Sequence, residues 1–148
     1  MKEKNNLNLK ILNELSTDAK VPLRKLASKL KVSFVTVLNR IKKLEKEGII
    51  EGYFTKINFE KLDYDINVII EIKIAKGKLF ELEKKIAKSN EVWAVYDTTG
   101  EYDATVFARF KTTRLMDNFL KKIQTLDFVE RTNTKLILNT VKESQTVL

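Results

Sequence analysis

Residues 22–48 read PLRKLASKLKVSFVTVLNRIKKLEKEG, and their spacing decides the first half of the fold. Leu23, Leu26, Ala27 and Leu30 recur at three- and four-residue steps, one face of a short helix. Pro22 suits its first turn, where a missing amide hydrogen costs nothing. After Lys31-Val32, Ser33 is placed to cap a second helix, whose apolar residues Phe34, Val37, Leu38, Ile41 and Leu44 share a face until Gly48 ends it. Two such helices around a short turn make a helix-turn-helix, whose second member enters the DNA major groove. Thr36, Asn39, Arg40 and Lys43 form the polar stripe opposite, and such side chains reach base edges. Lys20, Arg24, Lys25, Lys29, Lys31, Lys42 and Lys46 surround it as phosphate contacts that carry no sequence information. Two positions depart from an ideal motif: Lys31 sits at the turn where glycine is common, and Val21 where a hydroxyl cap is expected.

Upstream, Leu7, Ile11, Leu12 and Leu15 mark one face of a preceding helix, which the turn formers Ser16 to Lys20 end. Downstream, Ile49-Ile50 and Gly52 to Asn58 read as a strand leaving the helical domain, so the expected boundary lies near Lys61, with domains of residues 1–60 and 61–148. Residues 66–75 alternate Ile70, Ile72, Ile74 with Glu71 and Lys73, the period of a half-buried strand. Gly77 turns the chain into a helix over Leu79 to Lys88, with Leu79, Leu82, Glu83 and Ile86 in helical steps. Strands follow at Val92 to Thr98 and Tyr102 to Phe110, then a helix at Leu115 to Leu126 and a long strand at Phe128 to Val141. The order β-α-β-β-α-β predicts an α+β chain: a winged-helix-like helix-turn-helix domain, then a ferredoxin-like antiparallel sheet with both helices on one face. The uncovered sheet face would meet water in a monomer, so pairing with a second copy is expected.

Composition agrees with this division. Net charge is +6 over residues 1–60 but only +2 over 61–148, the footprint of nucleic-acid binding confined to one part of the chain. The absence of cysteine and histidine excludes disulfides, thiol nucleophiles, zinc fingers and imidazole acid-base chemistry. With no GxSxG, P-loop or GxGxxG either, neither an enzyme nor a cofactor or metal site is expected. No apolar run is long enough for a membrane span, and residues 1–6 lead into no apolar segment, so a cytoplasmic protein without membrane contact is expected.

The sequence resembles the Lrp/AsnC family of feast/famine transcription regulators over nearly its whole length. Asn8 to Leu12 is similar to the family's D-x-K-I-L opening, with Asn in place of Asp. Arg40 to Ile50 matches R-[IV]-x-x-L-E-x-x-G-[IV]-I, and Gly52-Tyr53 with Asn58 matches the departing strand, Phe59 replacing a proline. Thr99 to Asp103 is similar to the G-[DE]-[YF]-D turn and Val129 to Thr134 to V-x-R-T-x-T. The resemblance implies a regulator of double-stranded DNA that dimerises, assembles further into octamers, and binds a small amino-acid effector between dimers. Its implied DNA contacts fall on Arg24, Lys29, Ser33, Thr36, Asn39, Arg40 and Lys43. The implied effector site falls on Asp97, Thr98, Thr99, Gly100, Glu101, Tyr102 and Asp103, on Asp117 and Lys121, and on Thr132, Asn133, Thr134 and Lys135. Gly100's amide and the threonine hydroxyls can hold a carboxylate there, and Asp103 an α-ammonium.

Two other readings compete. An RNA-recognition module shares the strand order but needs a K/R-G-F/Y-G/A-F-V-x-F/Y run, which Glu101 to Ala108 lacks. An amino-acid-sensing assembly protein that does not touch DNA would have no use for the basic first half.

Overall fold

The computed structural model describes residues 2–75 and 77–143, apart from the side chains of residues 2–5 and of Glu83, so the expectation for Glu83 lies outside the described residues. The chain forms two compact units, the first made of residues up to Lys56 together with Lys142 and Glu143, and the second spanning Ile57–Val141.

The first unit is three helices: α1 (Lys2–Thr17), α2 (Leu23–Leu30) and α3 (Phe34–Lys46). Ile11, Leu15, Leu26, Ala27, Val37, Ile41 and Leu44 are buried together, one stripe from each helix. Burying one such aliphatic side chain is worth about 1.5–3 kcal/mol, which marginally stable short helices cannot supply from backbone hydrogen bonds alone. Ser33 caps α3, its Oγ accepting from Thr36 N at 3.0 Å. Gly48, at φ 69°, ends that helix by letting Ile49 N reach Leu44 O at 2.9 Å. Lys31 does the same work after α2 at φ 55°, its own amide on Ser28 O and that of Val32 on Ala27 O, a left-handed conformation that disfavours a β-carbon. Pro22 stands one residue earlier than expected, as the N-cap, with no side-chain cap there.

The expected strand over 52–58 is absent among the described residues: no ladder bonds form, and Tyr53, Phe54 and Ile57 are exposed. Alternating apolar residues make a strand only where a neighbour supplies the other half of the ladder. The second unit begins slightly before the expected boundary. Phe59 packs edge-on to Tyr64 at 5.8 Å, and Arg109 lies 4.5 Å over the Phe59 ring, within that unit.

Its strands are β1 (Ile66–Ile74), β2 (Val92–Asp97), β3 (Ala104–Phe110) and β4 (Val129–Leu136), with α4 (Leu79–Ile86) and α5 (Thr113–Gln124) between them. The sheet order is β2-β3-β1-β4, with every neighbour antiparallel. This is the ferredoxin-like arrangement. Val68, Ile70, Ile72 and Ile74 of β1 and Ala104, Val106, Ala108 and Phe110 of β3 point one way, against Leu82, Ile86 and Ile123. Their neighbours Ile69, Phe107 and Arg109 therefore share the opposite face, where Trp93 and Tyr96 pack on Phe107 at 5.1 and 5.8 Å. β3 starts two residues later than expected, at Ala104. β4 stops at Leu136 instead of Val141 because β1 begins at Ile66: after Ile137 N bonds Asn67 O, no strand remains to pair with, and Leu138 and Val141 are exposed.

Candidate nucleic-acid interface and effector turn

Around α3, at about 100° per residue, the direction opposite the buried Val37, Ile41 and Leu44 belongs to Val35, Asn39, Lys42 and Lys46, flanked by Lys43 and Thr36. Burial agrees: Val35 is 59% exposed and Asn39, Lys42, Lys43 and Lys46 are all exposed. Phe34, expected on the core face, is instead 42% exposed. As the first helical residue it sits beyond the reach of the α1–α2 packing.

The seven expected DNA contacts fall into three groups. Arg24 and Asn39 are exposed and hold no partner among the described residues. Lys29 reaches Glu14 of α1 at 2.6 Å, and Lys43 lies 3.5 Å from Glu47 on its own helix; both are surface pairs that cost little to exchange for phosphate. Ser33, Thr36 and Arg40 are structurally engaged. The Ser33 and Thr36 hydroxyls are 2.8 Å apart within the cap, and Arg40 Nη1 donates to Asn8 Oδ1 at 3.2 Å, half-buried between α3 and α1. Arg40 thus braces α3 against α1, while Val35, which the sequence reading left unassigned, adds an apolar group to the outer stripe.

At one end of the sheet of the second unit, the 97–103 turn is closed at its base. Thr98 N donates to Asp103 O at 3.0 Å, and the Thr98 hydroxyl donates to Tyr102 O at 3.2 Å. Gly100, at φ 121°, is the residue that permits the reversal. Among the described residues the amides of Thr99, Gly100 and Glu101 find no backbone partner, and Asp97, Thr98, Thr99 and Glu101 are exposed.

Asp103 faces β1. Its Oδ2 accepts Ile74 N–H at 2.8 Å and its Oδ1 lies 3.2 Å from Lys73 Nζ. The Ile74 amide first, and Lys73 after it, hold its pKa below the usual carboxylate range. Beside it Glu101 pairs with Arg131, which raises the guanidinium pKa, and Arg131 lies 5.0 Å over the Tyr102 ring. Lys73 and Arg131 face each other across β1 and β4, so the turn is ringed by a charged cluster to which the sequence reading assigned only Glu101 and Asp103.

The four β4 candidates do not share one surface. Thr134 pairs with Ile70 and Thr132 with Ile72, on the helical face, and Thr132 Oγ1 accepts from Gln124 of α5 at 3.0 Å. Asn133 and Lys135 lie on the open face, where both hold Glu71, at 2.8 and 2.6 Å, and the lysine and asparagine depress that carboxyl's pKa. Asp117 and Lys121 pair at 2.6 Å along α5, and no hydrogen bond ties them to the turn. Gln124, which the sequence reading passed over, links α5 to β4.

Among the described residues no group of three acidic, cysteine or histidine side chains could hold a metal ion, and no helix is long and apolar enough to cross a membrane.

Residues 67–147 match the Lrp/AsnC ligand binding domain, and residues 4–51 match a winged helix-turn-helix DNA-binding domain. A protein of Pyrococcus furiosus described as an uncharacterized HTH-type transcriptional regulator is 45% identical over 141 residues, 95% of each chain. Among solved structures, Escherichia coli AsnC superposes with a TM-score of 0.87 at 27% identity, over 95% of this chain and 96% of its own. A feast or famine regulatory protein of M. tuberculosis complexed with L-methionine does so with a TM-score of 0.87 at 25% identity and the same coverage.

Proposed function

Given that the chain belongs to the Lrp/AsnC family of transcription regulators, we propose that it reads duplex DNA with the outer stripe of α3 and responds to a small amino acid at the 97–103 turn. The observation that carries this reading is the α3 surface itself. An amide, an apolar group and cations stand together on the solvent side of a capped helix, within the part of the chain that holds most of the net charge. Asn39 and Val35 address bases, Arg24, Lys42, Lys43, Lys46 and Lys29 address phosphates, and Ser33, Thr36 and Arg40 hold the helix in its reading position.

A second copy pairs through the open sheet face, covering Ile69, Trp93, Tyr96 and Phe107. A two-fold dimer meets a pseudo-palindromic site with half-sites about one helical turn or a multiple apart. Further assembly into octamers follows the family's habit.

The effector carboxylate takes the free amides of Thr99 to Glu101, which lie beside Arg131, and the α-ammonium exchanges with Lys73 on Asp103. The M. tuberculosis relative's methionine complex supports a free amino acid as the ligand class. Such a ligand acts only through different affinities for two assembly states, with coupling of about 1–3 kcal/mol.

Selection of bound fragments from random duplex DNA, with and without each amino acid, is the test. Enrichment of a two-fold motif, with yield altered by at least one amino acid and unaltered after Asp103→Ala, is the expected result. No enrichment at low salt overturns the DNA reading, and an amino-acid response that survives the substitution overturns the effector site.

A further inference from the structure

α4 and α5 lie on the same face of the sheet and leave between them a cavity of about 430 Å3, inside the size range of small-molecule sites. Its inner wall is apolar: Ile86 and Ile123 are buried, Phe119 and Leu126 half-buried, and Leu115 stands 45% exposed at the mouth.

The rim is cationic. Lys85, Lys88 and Lys122 line the opening, all exposed, and none forms an ion pair among the described residues. Five other basic side chains of this unit, Lys73, Lys78, Lys121, Arg131 and Lys135, are each held by a carboxylate, while Lys84 and Lys111 lie over the Phe80 and Tyr64 rings. The described lining includes a single carboxylate, Glu91, and Ser89 Oγ already donates to it at 2.5 Å. Glu91, on which Lys122 acts electrostatically, offsets one of these charges, and the two cations in excess along an apolar wall leave local charge that an anionic ligand would satisfy.

The geometry points to a second ligand site in the α4–α5 cavity, one that takes a small organic carboxylate with an apolar body and no α-ammonium. The carboxylate meets Lys88 and Lys122, and the body covers Leu115, Phe119 and Leu126. A zwitterion is disfavoured because its ammonium would be desolvated among three lysines, with Glu91 already engaged. The cavity thus selects against the zwitterion that the 97–103 turn takes. Because α5 also donates Gln124 to Thr132, an occupant that orders α5 is felt on β4.

Calorimetry and amide chemical-shift mapping on the full chain test this with 3-phenylpropionate, its uncharged analogue 3-phenylpropanol, and L-phenylalanine. The expected result is saturable binding of the acid, shifts centred on residues 85–91 and 115–126, and about tenfold weaker binding of the alcohol and of the amino acid. Lys122→Gln and Lys88→Gln, both exposed positions that leave the fold intact, each weaken the acid about fivefold and leave the alcohol unchanged. No saturable binding of the acid at millimolar concentration, equal binding of acid and alcohol, L-phenylalanine binding as well as the acid, or indifference to both substitutions overturns the proposal.

Discussion

Removing one methyl group from DNA is the sharpest test of how α3 reads its site. Val35 and Asn39 are four residues apart on the outer stripe, a rise of about 6 Å along the helix, against about 3.4 Å per base step. The two side chains therefore address base pairs about two steps apart. Asn39 suits the N6/N7 edge of adenine, and Val35, with no polar atom, suits the thymine C5-methyl. Burying that methyl against a side chain already 59% exposed is worth about 0.8 kcal/mol, a factor of about four in Kd. Engagement of both half-sites doubles the energy, to about fifteenfold. A thymine-to-uracil scan of the selected operator, read by fluorescence anisotropy at fixed salt, should show one sensitive position per half-site. Val35→Ala should weaken the thymine site and abolish the sensitivity at that position alone, the signature of a coupled pair in a double-mutant cycle. Asn39→Ala should cost about 1–3 kcal/mol at its own adenine pair, about two steps away, and leave the uracil profile intact. If Val35→Ala leaves the uracil profile unchanged, Val35 does not face the bases and the assignment of the outer stripe is wrong.

Lys31→Gly should stabilise the first unit by about 1 kcal/mol in urea unfolding at constant m-value, because a β-carbon at φ 55° is strained and the position is exposed. Burial, and then the hydrogen bond from Tyr53 to Glu45 at 2.8 Å, lifts the phenol pKa from 10.0 to about 12. Its neutral form is thus favoured in the folded state, and the stability it contributes is complete below pH 10 and lost as pH rises toward 12. Tyr53→Phe should flatten that alkaline slope in thermal melts. Phe107→Glu should leave the secondary structure intact while sedimentation shows monomer, since the ring that Trp93 and Tyr96 pack against becomes a charge on the open face.

The helix-turn-helix was legible because α2 and α3 carry their whole specification locally, in the Pro22 start, the Ser33 cap, the Gly48 stop and apolar steps of three and four. The order of the four strands was legible for a similar reason, as alternation in β1 and β3 repeats over most of their length. What escaped the sequence depends on partners distant along the chain. Arg40 reads in the sequence as a base contact, and nothing near it in the chain announces Asn8, 32 residues away, to which it donates. Asp103 looked free until the Ile74 amide, 29 residues away, was found to occupy it. Thr132 to Lys135 looked like one ligand-binding run, yet strand geometry sends alternate residues to opposite faces. The residues over 52–58 and 137–141 have strand-like composition, but whether a ladder forms depends on the neighbour, which composition does not encode.

The Asp103 carboxylate also bears on how the sheet finds its alignment. The β1–β3 ladder keeps its register as far as Ile72 and Ala104; just beyond it Asp103 N bonds Ile72 O, and the amide of Ile74 bonds the Asp103 side chain. Sliding β1 by one residue would turn Val68, Ile70, Ile72 and Ile74 out to solvent and offer the carboxylate the Lys73 or Ala75 amide from the wrong side of the pleat. Correct registry is thus rewarded twice, by apolar burial along the strand and by a single ionic contact at its end. That contact would act as an end-stop as β1 and β3, distant in the chain, come into register. A chain in which the end-stop is neutralised should dwell longer in shifted pairings, exposing an isoleucine-rich edge during refolding, so its first symptom should be aggregation on dilution from denaturant.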